Sequence, residues 1–388
     1  MNKKTPEIRF KGFSDDWEQR KLGEEVPITM GQSPSSSNYT DNPNDYILVQ
    51  GNADVRDGKV KPRVWTTQVT KTANRNDIVL SVRAPVGDVG KTDYDIVLGR
   101  GVAGLKGNEF IYQTLTKMKI NGFWDRFTTG STFESINSTD LKNAEILIPN
   151  KEEQLKIGFL FATLDKTIAL HQQKIDLLKQ SKKSFLQNLF PKKEKSVPDI
   201  RFSGFVGEWE QRKLEDVAEF NPKSIIPLVF KYVDLESVVG TEMINFKVES
   251  RDTAPSRAQR LAQQGDVFYQ TVRPYQKNNY LFDMTYKDYV FSTGYAQMRP
   301  NIDSYFLFSR IQENNFVKTV LDRSTGTSYP AINSKDLANI EVKVPNEHKE
   351  QMKVGNLFKQ IDNTIALHQE KIESLKQMKK ALLQKLFI

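Results

Sequence analysis

The sequence has no cysteine among its 388 residues. That excludes disulfides, thiolate–metal sites and cysteine nucleophiles together, and it fits a cytoplasmic protein. Histidine is nearly as scarce: His171, His348 and His368 are too few for a multi-histidine metal centre. Long apolar runs are missing. No window approaches the ~18 consecutive apolar residues of a membrane-spanning helix. The N-terminus MNKKTPEIRF is charged and lacks the apolar core of a signal peptide. Signatures of catalysis are missing too. Residues 84–92, APVGDVGKT, imitate a phosphate-binding loop. Pro85 stands where that loop needs glycine and removes an amide donor, so a glycine-rich hairpin turn is expected instead. Asn221-Pro222 is followed by Lys223, not by the rest of an Asn-Pro-Pro-Tyr methyltransferase motif. No Gly-x-Gly-x-x-Gly follows a strand-like run, and no acidic group sits in a nuclease-like pattern. Together these absences argue against a catalytic chain.

What is present is ordinary in bulk: 38% hydrophobic and 27% charged residues, with a length suited to two or three domains. The net charge of +8 is unevenly placed. Residues 151–192 hold 8 basic and 4 acidic side chains, and residues 347–388 hold 8 and 5. Everything else is close to neutral. A polyanion-binding surface outside those two segments therefore requires local clustering rather than bulk charge.

The dominant feature is an internal repeat. Residues 6–22, PEIRFKGFSDDWEQRKL, return as 198–214, PDIRFSGFVGEWEQRKL. Residues 136–141, INSTDL, return as 332–337, INSKDL, and each copy is followed by a strand-like run ending in Pro-Asn. Residues 164–190 return as 361–387 with about two-thirds of the positions identical. Between these matches, 23–130 and 215–325 diverge. Each half is thus a constant opening segment, a variable body and a constant closing helix. The junction PKKEKSVP at 191–198 reads as a solvated linker.

The closing segments carry heptads. Ile157, Leu164, His171, Leu178 and Phe185 are spaced by sevens, with Phe161, Ile168, Ile175, Lys182 and Leu189 four residues on. The second copy gives Val354, Ile361, His368, Leu375 and Leu382, with Phe358, Ile365, Ile372, Lys379 and Leu386. Helices of about 33 residues, roughly 50 Å long, are expected. A narrow apolar seam must be covered, and the economical solution pairs the two copies, either antiparallel or parallel. The paired histidines read as polar seam residues that fix register. Lys182 and Lys379, with Lys183 and Lys380 beside them, read as stems packed along the seam with solvated heads. A lysine face turned toward DNA phosphates or a partner is the alternative.

The bodies read as α+β with irregular sheets. Strand-like runs fall at 46–50, 77–82, 96–98 and 146–148, and at 228–233, 266–272 and 340–344. A helix is expected over 109–119, and a counterpart over 304–312 that continues toward Leu321. Trp17 and Trp209, in the constant opening, read as core or docking groups. Polar loops suited to nucleic acid recur at matching places in both bodies. The first body offers Gln32, Ser33 and Ser35, then Arg83 and Arg100 after strand-like runs, then Thr129, Ser131 and Thr132 before the INS motif. The second offers Arg273, Tyr275, Gln276 and Lys277, then Thr325, Thr327, Ser328 and Tyr329.

These motifs, each present twice and in order, make the chain resemble the specificity subunit of type I restriction–modification systems over essentially its whole length. The resemblance rests on P-x-I-R-F-x-G-F…W-E-Q-R-K-L, on I-N-S-x-D-L with Pro-Asn and then Glu153-Gln154 or Glu350-Gln351, and on the heptad helix with T-I-A-L-H-Q. It implies an α+β chain with an internal pseudo-twofold repeat. Two globular target recognition domains, 1–150 and 198–346, would be joined by spacer helices at 151–190 and 347–388, with a linker at 191–197. The helices would pair as an antiparallel coiled coil that sets the gap between two half-sites on double-stranded DNA. The constant segments would dock two methyltransferase subunits, and two restriction–translocation subunits would join. S-adenosylmethionine, ATP and Mg would belong to those partners, with no cofactor, metal or catalytic residue on this chain and no membrane. The competing reading is a non-DNA coiled-coil scaffold or adaptor. A nuclease with an unrecognised carboxylate cluster is a third.

Overall fold

The structure, a computed structural model, describes residues 4–127 and 135–388. The chain divides into two compact units, residues 1–171 with 370–388, and residues 172–369. Each unit holds one body, the start of the helix that follows it and the end of the other long helix.

In the first unit, one six-stranded sheet runs in the order Ile28–Met30, Val102–Leu105, Ile78–Ser81, Val89–Lys91, Lys59–Val60, Val55–Arg56. A five-stranded sheet runs Tyr39–Thr40, Val64–Thr66, Tyr46–Val49, Ile96–Leu98, Lys71–Ala73. Val49, Val79, Ile96, Leu98 and Val102 form a cluster of β-branched and leucine side chains that water does not reach. Residues 84–92 form the expected hairpin turn, with Leu80 opposite Val89 and the Gly87 amide bonded to Ser81 at 2.8 Å.

The second unit is built differently. One four-stranded sheet is ordered Ala218–Phe220, Tyr295–Pro300, Val267–Gln270, Tyr280–Leu281. The other is ordered Lys247–Ser250, Val229–Val233, Tyr289–Ser292, Ala258–Leu261. Its core is aromatic: Phe268, Phe282, Phe291 and Tyr295 cluster, with Phe268 and Phe291 stacked at 3.7 Å.

The body helix of the first unit, Glu109–Ile120, begins where the Asn108 side chain accepts the Ile111 amide. The helix expected to run from 304 toward Leu321 is instead two helices, Ser304–Ile311 and Asn314–Asp322. The break lies at the buried Gln312 and Glu313, the latter extended. It frees the Gln312 carbonyl, which accepts a bond from the Lys277 ammonium at 2.8 Å.

Around these unlike bodies the constant segments build one and the same junction. Opening strands Glu18–Lys21 and Glu210–Lys213 pair antiparallel with Glu145–Ile148 and Glu341–Val344. Asn137 and Asn333 of the INS motif each accept the amide three residues on, capping a short helix that buries Leu141 or Leu337. Arg9 makes a two-pronged bond to the buried Glu153, and Arg201 makes the same bond to Glu350. The next residue of the Glu-Gln pair holds the turn: Gln154 donates to the Pro149 carbonyl and Gln351 to that of Pro345, both at 2.9 Å.

The long helices are Lys151–Asn188 and His348–Lys385, 38 residues each and so five longer than the heptads indicated. Every a and d residue along both is buried or half-buried, His171 and His368 included. In the first unit, Phe161 meets Phe387 at 5.7 Å and Asp165 meets Lys379 at 2.6 Å. In the second, Phe358 meets Phe190 at 5.9 Å and Asp362 meets Lys182 at 2.5 Å. Partner numbers fall as the first number rises, so inside each unit the two helical segments run antiparallel. The seam lysines differ from expectation. Their heads are only partly solvated, and each reaches an aspartate on the facing helix.

Phe387 also packs on Trp17 at 6.2 Å and Phe110 at 5.1 Å, and Phe190 on Trp209 at 6.2 Å and Phe306 at 5.5 Å. Both tryptophans are core residues. Each body's core is therefore completed by the end of a helix that begins elsewhere in the chain.

Candidate nucleic-acid interface

In the first unit the recognition candidates gather where strands 78–81 and 96–98 end. Residues 99–101, Gly-Arg-Gly, make the turn into the next strand. The Gln32 amide donates to the Leu98 carbonyl at 2.8 Å, and the Arg100 amide to the Ser33 hydroxyl at 3.1 Å. Gly31 permits this approach: a Cβ there would lie 2.0 Å from the Gly99 carbonyl oxygen. The Val82 amide bonds the Gly101 carbonyl at 2.9 Å, which brings Arg83 to the same edge. Arg83 and Arg100 are exposed, and neither forms an ion pair among the described residues.

Ser35 is held less directly. Its backbone amide and the Asn38 side chain both donate to the Gln68 side-chain Oε1, at 2.9 Å each. The Thr70 hydroxyl donates to the Gln32 carbonyl at 2.5 Å. Gln68 and Thr70 were not among the sequence candidates, since they lie in a turn that nothing in the repeat marks. Thr129, Ser131 and Thr132 lie outside the described residues.

In the second unit the matching strand, Val267–Gln270, ends in the same way. Val272 bridges to Ala331, and the Ile332 amide bonds the Thr271 carbonyl at 3.0 Å. The equivalent bond in the first unit joins Ile136 to Val82 at 2.9 Å. Thr325 and Ala331 exchange two 2.9 Å backbone bonds, closing a hairpin with Thr327, Ser328 and Tyr329 at its exposed tip. The Arg273 amide donates to the Pro330 carbonyl at 2.7 Å, and its guanidinium lies 4.5 Å from the Tyr329 ring centre.

The remaining candidates there divide. Tyr275 stands exposed on a one-turn 3₁₀ helix, Pro274–Gln276. Gln276 accepts a bond from the Gln270 side chain. Lys277 points inward to the Gln312 carbonyl and the Asn314 side chain, and burial lowers its pKa. Lys277 is thus a brace of the loop, whereas Tyr275 and Tyr329 are exposed and Arg273 is half-buried beside Tyr329.

A second surface lies on the constant shell of the first unit. Phe10, Leu155, Phe159, Leu160 and Thr163 line an apolar groove of about 490 Å³, with Leu155 and Phe159 well exposed. At the corresponding positions the second copy has Phe202, Met352, Asn356, Leu357 and Gln360, a more polar set.

A protein-family model, described as the type I restriction modification DNA specificity domain, matches this chain twice, at residues 14–180 and 207–377. The chain belongs to this family. Each matched stretch takes in one body, its Asn-capped INS helix and most of the long helix that follows. A Methanocaldococcus jannaschii protein named for the MjaX type I restriction enzyme is 32% identical over 185 residues, 45% of this chain and 43% of that relative. The match therefore spans under half of that relative's length. The MjaVIII specificity subunit of the same organism is 23% identical over 95% of this chain and 91% of its own. The crystal structure of the type I restriction–modification S subunit from M. genitalium superimposes with a TM-score of 0.69 at 17% identity, covering 99% of both chains. That likeness establishes the fold: two specificity domains of mixed α and β structure. No helix among the described residues is long and apolar enough to cross a membrane.

Proposed function

We propose that the chain is the DNA-reading subunit of a type I restriction–modification complex, with each body reading one half of a split target. The observation that carries this reading is the pair of matched specificity domains. It is supported by the polar loops at the end of the corresponding strand in each body, with Arg83 and Arg100 exposed in the first and Arg273 half-buried in the second. Those groups suit the edges of bases and the phosphates beside them.

The long helices act as the spacer. Their heptads run unbroken from Ile157 to Leu189 and from Val354 to Leu386, which suits pairing along the full length as an antiparallel coil. Half-site spacing then becomes a matter of helix length, as it does for dimeric DNA readers. The constant shell docks two methyltransferase subunits, and the groove at Leu155 and Phe159 is the surface of the first unit best fitted to that. Restriction–translocation subunits complete the assembly. Chemistry and its S-adenosylmethionine, ATP and Mg reside in those partners, and the chain itself supplies specificity, in the cytoplasm.

Because the bodies are nearly neutral, the isolated chain grips DNA weakly, and its binding weakens further as salt rises. The test is to map N6-methyladenine in cells holding the methyltransferase subunit with and without this chain. Methylation of one split motif that depends on the chain is expected. Unchanged methylation would refute the reading.

A further inference from the structure

We propose that Arg273 reads a guanine in the half-site of the second body, and that Tyr329 holds its guanidinium in place to do so. This rests on the DNA-reading function proposed above and names the base that one residue recognises.

Three features single out Arg273. Its backbone is left-handed, at φ 54° and ψ 55°, a conformation that side chains with a Cβ disfavour. Lys277, four residues on, is left-handed as well, at φ 56°. Such geometry persists where surrounding contacts over-determine it, and it gathers at functional sites. Here the Arg273 amide is tied to Pro330 and the guanidinium lies beside the Tyr329 ring.

The second feature is the state of the guanidinium. Nε is buried and has no hydrogen-bond partner among the described residues. No carboxylate pairs with the group either. Arg201, Arg212, Arg299 and Arg310 of this unit pair with Glu350, Glu210, Asp266 and Glu313, whereas Arg273, like Arg251, Arg257, Arg260 and Arg323, has no carboxylate partner among the described residues, and of these five it alone is left-handed with an aromatic ring beside its guanidinium. Arg273 therefore keeps its charge and its terminal nitrogens for something outside the chain.

The third is shape. The Tyr329 ring beside the guanidinium restricts where the fork can go, and a positioned planar fork matches the O6 and N7 acceptors of guanine in the major groove. A phosphate would accept a lysine as readily. Lys277 in the same loop is instead turned inward.

The complex of this chain with its methyltransferase subunit is assayed on duplexes carrying the wild-type motif, with each base pair of the second half-site changed in turn. Arg273→Lys and Arg273→Ala are expected to lose at least about tenfold discrimination at one G·C position, with the first half-site still required in full. Tyr329→Ala should relax the same position, and Tyr329→Phe, which keeps the ring, should restore most of the discrimination that Tyr329→Ala loses. If Arg273→Lys discriminates normally while Arg273→Ala weakens every sequence alike and flattens the salt dependence, Arg273 touches a phosphate and the assignment falls. It also falls if no G·C pair of the second half-site matters. Failure of the wild-type complex to methylate any split motif would overturn the DNA-reading function itself.

Discussion

The two units share a shell and differ inside it. Trp17, Phe110, Phe161 and Phe387 in one correspond to Trp209, Phe306, Phe358 and Phe190 in the other, with ring distances that agree to within about half an ångström. The Arg9–Glu153 clamp corresponds to Arg201–Glu350, and the Asp165–Lys379 pair to Asp362–Lys182. Inside, a six-stranded and a five-stranded sheet with an aliphatic core face two four-stranded sheets with an aromatic one. Ring spacing and ion pairing are thus held constant where helix meets body, though ring tilts differ, as at Phe110–Phe387 and Phe190–Phe306, 21° against 59°, and the sheets of the bodies are rebuilt. A reader can be rebuilt without disturbing its mount.

That equivalence can be broken most forcefully at its aromatic hub. Phe387→Ala and Phe190→Ala should each destabilise their own unit by about 3–5 kcal/mol, since each removes a ring held by three others. Denaturant unfolding should give the two losses within about 1 kcal/mol of each other. A large loss in one alone would show that the mounts are not equivalent. Glu153→Gln and Glu350→Gln come next. Each leaves an arginine without its buried carboxylate, at about 3 kcal/mol by the same measurement.

A sharper test turns on sign. Gly158 and Gly355 lie inside long helices, where alanine would ordinarily stabilise by up to about 1 kcal/mol. A Cβ at Gly355 would lie 2.2 Å from the Asp303 carboxylate, and one at Gly158 2.9 Å from the Glu109 Cβ. Both alanine variants should therefore destabilise, by about 1–3 kcal/mol, with Gly355→Ala the worse. Thermal unfolding that rises in either variant would contradict the close approach of helix and body. The smallest effect is expected at the seam. Lys379→Met and Lys182→Met should each change stability by about 1 kcal/mol or less, because the pairs are partly solvated.

The sequence made the repeat and the heptads legible, because those features are periodic or duplicated. The INS motif and the Glu-Gln pair are visible as repeated markers, while the caps that Asn137 and Asn333 make appear only in the fold. Only the structure shows that Glu153 clamps Arg9 across 144 residues. The seam lysines were placed correctly but their aspartate partners were not, since Asp165 and Asp362 lie at positions flanking the seam and belong to the opposite helix. The helix break at Gln312 was hidden because the group that takes up its freed carbonyl, Lys277, lies 35 residues away. Gln68 and Thr70 went unnoticed for a similar reason: they matter through backbone contacts of a loop far away in sequence. Arg83, Arg100 and Arg273 were legible because each follows a strand. Which of them lies beside a ring, is strained or is paired is a tertiary property.

If the mount is constant, the reader on it is exchangeable. The most direct measurement is the N6-methyladenine map of a chimera in which residues 23–130 are replaced by the corresponding body of another family member, with the methyltransferase subunit present. One half of the split motif should change while the other half and the gap stay as they were. A change in both halves, or in the gap, would contradict the account.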